Sequence, residues 1–238
     1  MDFPQVRITI KERKVHPRFM GEEADRFCES VQAFLRSKGV DWEAATFAQR
    51  QKVLRRLITG CHRCPQRRRN NRPIPPTLNT EPKALFITRN PTRQDLETGR
   101  PLYETTPVGN VFQQYLAQAD LSYAQVYISS VVFCTTAQNS FPEVEALKVC
   151  ALWKAVEFQS MVVPPLIYAV GNEPLRMFFG DTYPAISSIY GDIYRVNFLG
   201  NITYIIPIMH PSYILRDKEW RASTATILRF SAGLLKEG

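Results

Sequence analysis

The chain contains 238 residues, and its hydrophobic content of 45% excludes a disordered protein and is enough to bury a substantial core. Lysine and arginine outnumber the acidic residues by 30 to 22, and the resulting net charge of +8 favours a polyanionic partner. No apolar run approaches ~20 residues and the N-terminus lacks an apolar signal segment, so we expect a cytoplasmic protein with no membrane span.

The first 60 residues are predicted to form a helical extension in front of a main domain that covers residues 61–238. Alternation over residues 6–10 predicts a short strand. Apolar positions recur at helical spacing over Glu22–Ser37, which predicts a helix there. A second helix is predicted to begin at Asp41, as its N-cap, and to end before Gly60.

Strands and helices alternate through the rest of the chain. Strands are predicted at Ala84–Thr88 and at residues 126–133, 165–170, 193–198 and 203–209. Helices are predicted at residues 108–119, 142–159 and 221–235, with a short one ending at Phe179. This alternation predicts a mostly parallel central sheet with helices on both faces, in an α/β fold of the three-layer α/β/α sandwich type.

The five cysteines are an odd number, which argues against a complete disulfide framework. Cys61 and Cys64 form a C-x2-C pair, Cys134 ends a predicted strand, and Cys150 lies on the helix that follows. Four thiolates from one pair and two later positions suit a [4Fe–4S] cluster, with zinc as the competing metal and unrelated buried thiols as a third possibility. Cys28 falls on an apolar helix face and is assigned to core packing.

A run of arginines follows the cysteine pair. Arg67, Arg68 and Arg69 stand between this pair and a core strand, a position that favours contact with phosphates. The alternative is a charged surface that faces only solvent.

A single histidine follows a buried strand near the C-terminus. The strand predicted at residues 203–209 ends at His210, because Pro211 lacks an N–H and stops strand pairing. Open α/β sheets bind ligands at the carboxyl ends of their strands, so His210 is a candidate functional residue. The alternative is a strand end with a histidine that serves only the fold.

The turn after this histidine carries an apolar tip. Tyr213, Ile214 and Leu215 are expected to be exposed there, and Arg216 follows them. An apolar tip beside a cation is suited to enter a duplex and to hold the surrounding phosphates, with Ser212 among the DNA contacts.

The order of these motifs resembles the uracil-DNA glycosylase superfamily, and specifically its iron–sulfur family-4 type. The matching features are the C-x2-C pair, the turn at residues 88–92, the loop at residues 99–102, the strand before Cys134, the helix that carries Cys150, and residues 210–216. The match covers residues 60–217, and the joint pattern is more specific than any single motif. The resemblance implies a uracil-DNA glycosylase-like fold, a [4Fe–4S] cluster on the four cysteines, and a monomer that binds DNA with the target base flipped out.

The resemblance also assigns two catalytic residues. His210 is expected to donate a hydrogen bond to the base O2 as negative charge develops there. In the turn at residues 88–92 the family's two glycines and its glutamate are replaced, and Arg89 stands at the place of the glutamate. Asn90 stands where the mismatch-specific branch has its water-positioning asparagine, so it is expected to orient the attacking water, which an amide cannot fully deprotonate.

Two further departures predict an altered base pocket, which Arg89 is also expected to line. Leu102 replaces the family's stacking phenylalanine, and Ser130 replaces the asparagine that reads the edge of uracil. A widened pocket favours a bulky 5-substituted pyrimidine, such as the glucosylated hydroxymethylcytosine of phage DNA, and hence an antiphage defence enzyme. The alternatives are a uracil-DNA glycosylase of base-excision repair and a catalytically inactive DNA-binding relative.

Overall fold

Six strands form one sheet in the computed structural model, which describes residues 6–68 and 71–236 of the chain. They are β1 (Thr9–Glu12), β2 (Ala84–Thr88), β3 (Val126–Ser130), β4 (Leu166–Val170), β5 (Asp192–Phe198) and β6 (Asn201–Ile208). Their order across the sheet is β1-β5-β6-β4-β2-β3, and every neighbouring pair is parallel except β5 with β6. The predicted mostly parallel sheet is confirmed.

Helices cover both faces of this sheet. They are α1 (Glu22–Ser37), α2 (Phe47–Thr59), α3 (Pro65–Arg68), α4 (Arg93–Thr98), α5 (Pro107–Gln118), α6 (Val144–Phe158), α7 (Asn172–Phe179), α8 (Pro211–Arg216) and α9 (Trp220–Leu234). On one face α5 packs with α8 and α9, and Phe112 of α5 meets Phe86 of β2. On the other face α1 and α2 pack on α6, and Lys154 of α6 donates a hydrogen bond to Ser129 of β3. The predicted three-layer sandwich is confirmed, and no helix within the described ranges is both long and apolar enough to cross a membrane.

The second helix begins later than predicted. Its N-cap is Thr46 and not Asp41, because the Thr46 hydroxyl accepts a hydrogen bond from the Gln49 N–H at 3.3 Å and the Gln49 side chain accepts one from the Thr46 N–H at 2.8 Å. Asp41 instead accepts hydrogen bonds from the N–H groups of Glu43 and Ala44 in the preceding turn. Aspartate side chains suit both arrangements, so residue type alone does not separate a cap from a turn.

The first 60 residues share the core of the rest of the chain. β1 pairs with β5 at the edge of the sheet. Phe19 is 2% exposed and stacks on Phe158, with ring centres 4.9 Å apart, while Phe178 and Phe198 meet it edge-on. These rings join the N-terminal segment to α6, α7 and β5, and the domain boundary at residue 60 stays a prediction.

The strand order brings three strand ends together. β4 pairs in parallel with β2 on one side and β6 on the other, so the three strands end at the same edge of the sheet. After β2 and β6 the chain continues to α5 and α8 on one face, whereas after β4 it continues to α7 on the opposite face, where Phe178 contacts Phe19. Neighbouring strands whose connections leave towards opposite faces open a crevice at their carboxyl ends, and such crevices bind ligands.

If the N-terminal segment belongs to one cooperative unit, Phe19→Ala should lower the free energy of unfolding of the whole chain by about 3–5 kcal/mol, since the ring is buried among three others. Urea unfolding followed by far-UV circular dichroism measures this change. Phe34→Ala is the control, because Phe34 lies on α1 with 51% of its surface exposed. Equal, small effects of the two substitutions would contradict the shared core.

Candidate active site

A cavity of about 540 Å³ opens at the carboxyl ends of β2, β4 and β6. Its wall contains six residues that were predicted from the sequence to act in catalysis or binding, namely Arg89, Asn90, His210, Ser212, Tyr213 and Arg216. It also contains side chains that sequence analysis did not single out, among them Asn139, Phe141, Glu173 and Arg176. The strand order therefore places the two predicted catalytic residues in one cavity.

His210 is held in one tautomer by the residue two positions after it. Nδ1 of His210 accepts a hydrogen bond from the backbone N–H of Ser212 at 3.1 Å, and the Ser212 hydroxyl lies 2.7 Å from the same nitrogen. A nitrogen that accepts from a backbone N–H carries no proton itself, so the proton of the neutral ring is assigned to Nε2. Nδ1 of the imidazole therefore caps the N-terminus of α8, and Nε2 carries the N–H that can donate a hydrogen bond.

The surroundings of His210 keep it uncharged at neutral pH. Burial, together with the smaller effects of the positive charges of Arg89 and Arg216, lowers the pKa of its imidazole from 6.5 to about 4. A neutral ring still donates a hydrogen bond from Nε2, whereas a proton on Nδ1 would break the contact with Ser212. The site thus presents a fixed, neutral hydrogen-bond donor.

Asn90 is buried and its amide is oriented by a small network. Its Oδ1 accepts a hydrogen bond from Nε of Arg89 at 2.7 Å, and its Nδ2 donates to the carbonyl of Pro91 at 2.8 Å and to Oδ1 of Asn139 at 3.2 Å. Arg89 in turn donates to the carbonyl of Asn139 at 2.9 Å. Because an amide oxygen has two lone pairs, Oδ1 of Asn90 has one left for another donor.

The loop that carries Asn139 has an unusual backbone. Gln138 and Asn139 have φ angles of 51° and 56°, in the left-handed region that asparagine adopts more readily than most residues. The hydrogen bonds of Asn139 to Arg89 and Asn90 hold this loop beside the cavity. The sequence offered a Gln-Asn pair in a long loop as a signal of an unusual turn. It did not reveal the contact with the cavity, because the partners of Asn139 lie about 50 residues earlier in the chain.

Two predicted base-binding residues lie outside the cavity wall. Ser130 is buried, and its hydroxyl is 2.8 Å from the hydroxyl of Thr88 on the adjacent strand. Leu102 is 3% exposed, and its backbone N–H donates to Asp95 at 2.7 Å. The space in the cavity therefore does not come from these two positions, and their contact with a base stays a prediction.

The four predicted metal-ligating cysteines come from three segments that meet beside α6. Cys64, Cys134 and Cys150 are buried, Cys61 is partly buried, and all four are free thiols. Burial raises the pKa of Cys134 to about 12, and the neighbouring sulfurs of Cys64 and Cys61 raise it as well. Gln66 links the segments by donating to the carbonyl of Cys134 at 3.2 Å.

The sulfurs of Cys61 and Cys64 raise the pKa of both Cys134 and Cys150 electrostatically, which requires the four side chains to lie close together. The fold therefore brings the predicted metal ligands into one region. As folded, the described residues contain no group of three or more histidine, cysteine or acidic side chains arranged to hold a metal ion. The four cysteines are thus neighbours in the fold, and metal binding by them stays a prediction.

The predicted arginine contacts lie at the same cysteine segment. The Arg67 guanidinium donates to the carbonyl of Cys61 at 3.2 Å and to that of Asn71 at 2.9 Å. Arg69 and the side chain of Arg68 fall outside the described residues. Arg67 therefore braces the segment that carries Cys61, and phosphate contact by this run stays a prediction.

The predicted exposed turn after His210 is the short helix α8. Tyr213 and Leu215 are 39% and 41% exposed, as expected of an apolar tip. Ile214 is fully buried, so its predicted exposure is wrong: a helix turns the residue between the two exposed ones towards the core. Arg216 lies over the ring of Tyr213 at 5.9 Å.

Comparisons of the sequence with known proteins identify its relatives. A family model described as the uracil DNA glycosylase superfamily matches residues 75–230. A Type-4 uracil-DNA glycosylase of Thermotoga maritima is 24% identical over 167 residues, which cover 70% of this chain and 84% of the relative. A Type-4 uracil-DNA glycosylase of Archaeoglobus fulgidus is 24% identical over 169 residues, which cover 70% and 83%.

His210 should titrate near pH 4 in an NMR experiment on ¹⁵N-labelled imidazole, with its proton on Nε2 above that pH. Arg216→Gln removes one of the two nearby cations and should raise the pKa, whereas Arg93→Gln, on the exposed side of α4, is the control. The folded-state pKa lies below the ordinary 6.5, so the unfolded chain binds this proton first and stability is lost as pH falls from 6.5 to about 4. A pKa of 6.5 or above would contradict the assignment.

Proposed function

Because the chain belongs to the uracil DNA glycosylase superfamily, we propose that it is a monofunctional DNA glycosylase that releases a base and leaves an abasic site. One observation carries the proposal: a neutral histidine after β6, whose Nε2 has no partner among the described residues, and an oriented asparagine amide after β2 line the same cavity, on either side of the end of β4. These are the two groups that hydrolysis of an N-glycosidic bond requires, one for the leaving base and one for water.

His210 acts on the leaving base. As the bond between C1′ and the base nitrogen breaks, its electron pair moves onto the base and negative charge grows on O2. The Nε2–H of His210 donates a hydrogen bond to that oxygen, and the neutral ring does so without first losing a proton. The cations Arg89 and Arg216 beside the ring add a favourable field for the departing anion.

Asn90 acts on the water. Oδ1 of Asn90 has one lone pair free of Arg89, and this lone pair accepts a hydrogen bond from a water molecule aimed at C1′. The water oxygen bonds to C1′ of the oxocarbenium-like sugar and then loses a proton to solvent, while the departed base takes up a proton. An amide orients the water without deprotonating it. The proposed mechanism therefore requires that the bond between C1′ and the base is largely broken before the water attacks.

DNA reaches this site across the surface of α8. The exposed side chains of Tyr213 and Leu215 are placed to fill the gap that the flipped nucleotide leaves, and Ser212 and Arg216 to contact its flanking phosphates. The sequence run Arg67, Arg68 and Arg69 is proposed to add contacts with phosphates.

The substrate we propose is a bulky 5-substituted pyrimidine, such as the glucosylated hydroxymethylcytosine of phage DNA, whose removal would serve antiphage defence. The cavity of about 540 Å³ supports a ligand larger than one pyrimidine ring, since pockets of ~300–1,000 Å³ enclose drug-sized ligands. Uracil in base-excision repair is the second candidate, favoured by the names of the relatives.

The four cysteines fit a metal centre by their chemistry. Cys61, Cys64, Cys134 and Cys150 would hold a [4Fe–4S] cluster, with zinc as the alternative, because the fold brings four free thiols into one neighbourhood and tetrathiolate sets select these metals. Through such a group the four cysteines would link α6 and the chain after β3 to the segment before residue 72, and its contribution would be to the stability of the fold. Base release itself is assigned to His210 and Asn90.

A single-turnover excision assay with alkaline cleavage of abasic sites tests the catalytic pair. His210→Ala and Asn90→Ala should each lower the rate by roughly 100- to 1,000-fold, the usual loss when one donor to developing charge is removed. Equilibrium affinity for the same duplex should change little, because neither residue contacts phosphate. His16→Ala is the control, since His16 is exposed and far along the chain from the cavity.

The substrates in this assay are duplexes with one uracil, one 5-methylcytosine or one glucosylated hydroxymethylcytosine. Release of the glucosylated base faster than uracil supports the defence function, whereas release of uracil alone establishes the repair function. Undiminished rates in both the His210→Ala and Asn90→Ala variants would exclude this cavity as the active site.

The metal centre makes a separate prediction. Protein purified without oxygen should be brown and contain four irons per chain, as a [4Fe–4S] cluster requires. Cys134→Ser should lower the melting temperature far more than Cys28→Ser, a matched change at a buried cysteine on α1. Colourless protein with one zinc would replace the cluster by a zinc site, and an unaltered melting temperature for Cys134→Ser would argue against any metal there.

A further inference from the structure

A second cavity of about 590 Å³ lies beside the first and shares part of its wall. Phe141, Glu173 and Arg176 line both cavities. The rest of the second cavity is formed by the segment around Arg18, by α1 and by the first half of α6. A ligand in the first cavity can therefore extend a substituent directly into the second.

The second cavity has an apolar floor and a charge-balanced rim. Its floor is made by the side chains of Phe141, Val144, Leu147, Ala151 and Leu152. Its rim has three cations, Arg18, Lys148 and Arg176, and three anions, Glu23, Asp181 and Glu173. A site for phosphate needs an excess of cations and a site for a metal ion needs an excess of carboxylates, so the balance favours an uncharged group.

The shared wall also offers unused hydrogen-bonding atoms. Glu173 is 5% exposed, and its Oε1 accepts a hydrogen bond from Nη1 of Arg176 at 3.0 Å, while Oε2 accepts none from the described residues. Nε of Arg176 is buried and has no partner among those residues. Buried polar atoms are seldom left unpaired, so this donor beside a free acceptor is the pattern of a site that receives a ligand hydroxyl.

We propose that the second cavity binds the 5-substituent of the flipped pyrimidine, and that this substituent is an uncharged group with several hydroxyls. The inference rests on the proposed function, which places the pyrimidine ring in the first cavity. One hydroxyl oxygen of the substituent accepts from Nε of Arg176, and a hydroxyl donates to Oε2 of Glu173. The carbon skeleton covers Phe141 and Val144, which are 52% and 67% exposed without it. Glu173 and Arg176 thereby determine specificity for a sugar-like group.

Binding to duplexes that contain a non-cleavable 2′-fluoro nucleotide separates this inference from catalysis. One duplex contains glucosylated hydroxymethylcytosine, and its partner contains 5-methylcytosine, which has no hydroxyl on its substituent. The ratio of the two dissociation constants is the readout. Wild type should prefer the glucosylated duplex, and Glu173→Gln should reduce that preference by roughly 10- to 100-fold, the usual loss for a hydrogen bond to a charged group.

Val144→Trp fills the second cavity from α6 without touching the first, and it should reduce the same preference by a similar factor, ~10- to 100-fold. Glu97→Gln is the control for Glu173→Gln, because Glu97 also pairs with an arginine of its own helix. Val162→Trp is the control for Val144→Trp, because Val162 is also an exposed valine. Neither Glu97 nor Val162 lines either cavity. Both controls should leave the ratio unchanged.

Absence of any preference in wild type, or an unaltered ratio in both Glu173→Gln and Val144→Trp, would overturn the inference. A preference that these two variants abolish, in a protein that releases no base, would refute the proposed excision and leave the second cavity as the binding site of the substituent. Base release from uracil duplexes alone, with no preference in binding, would refute the inference and retain the glycosylase.

Discussion

The parallel pairing of β4 with β2 on one side and β6 on the other is the constraint on which the site depends. It aligns three carboxyl ends, so that Asn90, Glu173 and His210, from distant parts of the chain, reach one cavity. The buried ladder hydrogen bonds of these strands make a shift in register costly, because one step would move every side chain to the opposite face. The positions of the residues in the cavity are therefore set by the buried central strands of the sheet.

The arginines around this cavity have two effects. Arg89 occupies the end of β2 where it orients the amide of Asn90, and together with Arg216 it lowers the pKa of His210. A cation at this position disfavours a second positive charge on the imidazole and favours negative charge on a departing base. In the proposed mechanism, an arginine in the place of the family's glutamate leaves the orientation of the water to Asn90 and favours departure of the base as an anion.

Local patterns predicted what depends on local structure. The 3.6-residue periodicity of α1 and the buried run of β2 led to correct bounds, whereas the last strand ends at Ile208, two residues before the predicted end at His210. The position of Ser130 in a motif did not reveal that its hydroxyl faces Thr88, because that contact depends on which strands are neighbours. Glu173 gave no signal for the same reason: an acidic residue in a first helical turn is ordinary until the strand order places it in the wall of the cavity that contains Asn90 and His210.

The most direct test of the account is a crystal structure of the protein with a duplex that contains the non-cleavable 2′-fluoro form of glucosylated hydroxymethylcytosine. The distance that decides is the one from Nε2 of His210 to O2 of the flipped base. We expect about 2.7–3.1 Å, the range of a donor placed for developing charge, with the sugar of the base against Phe141. A base that lies outside the cavity between Asn90 and His210, or an O2 that faces another donor, would contradict the account.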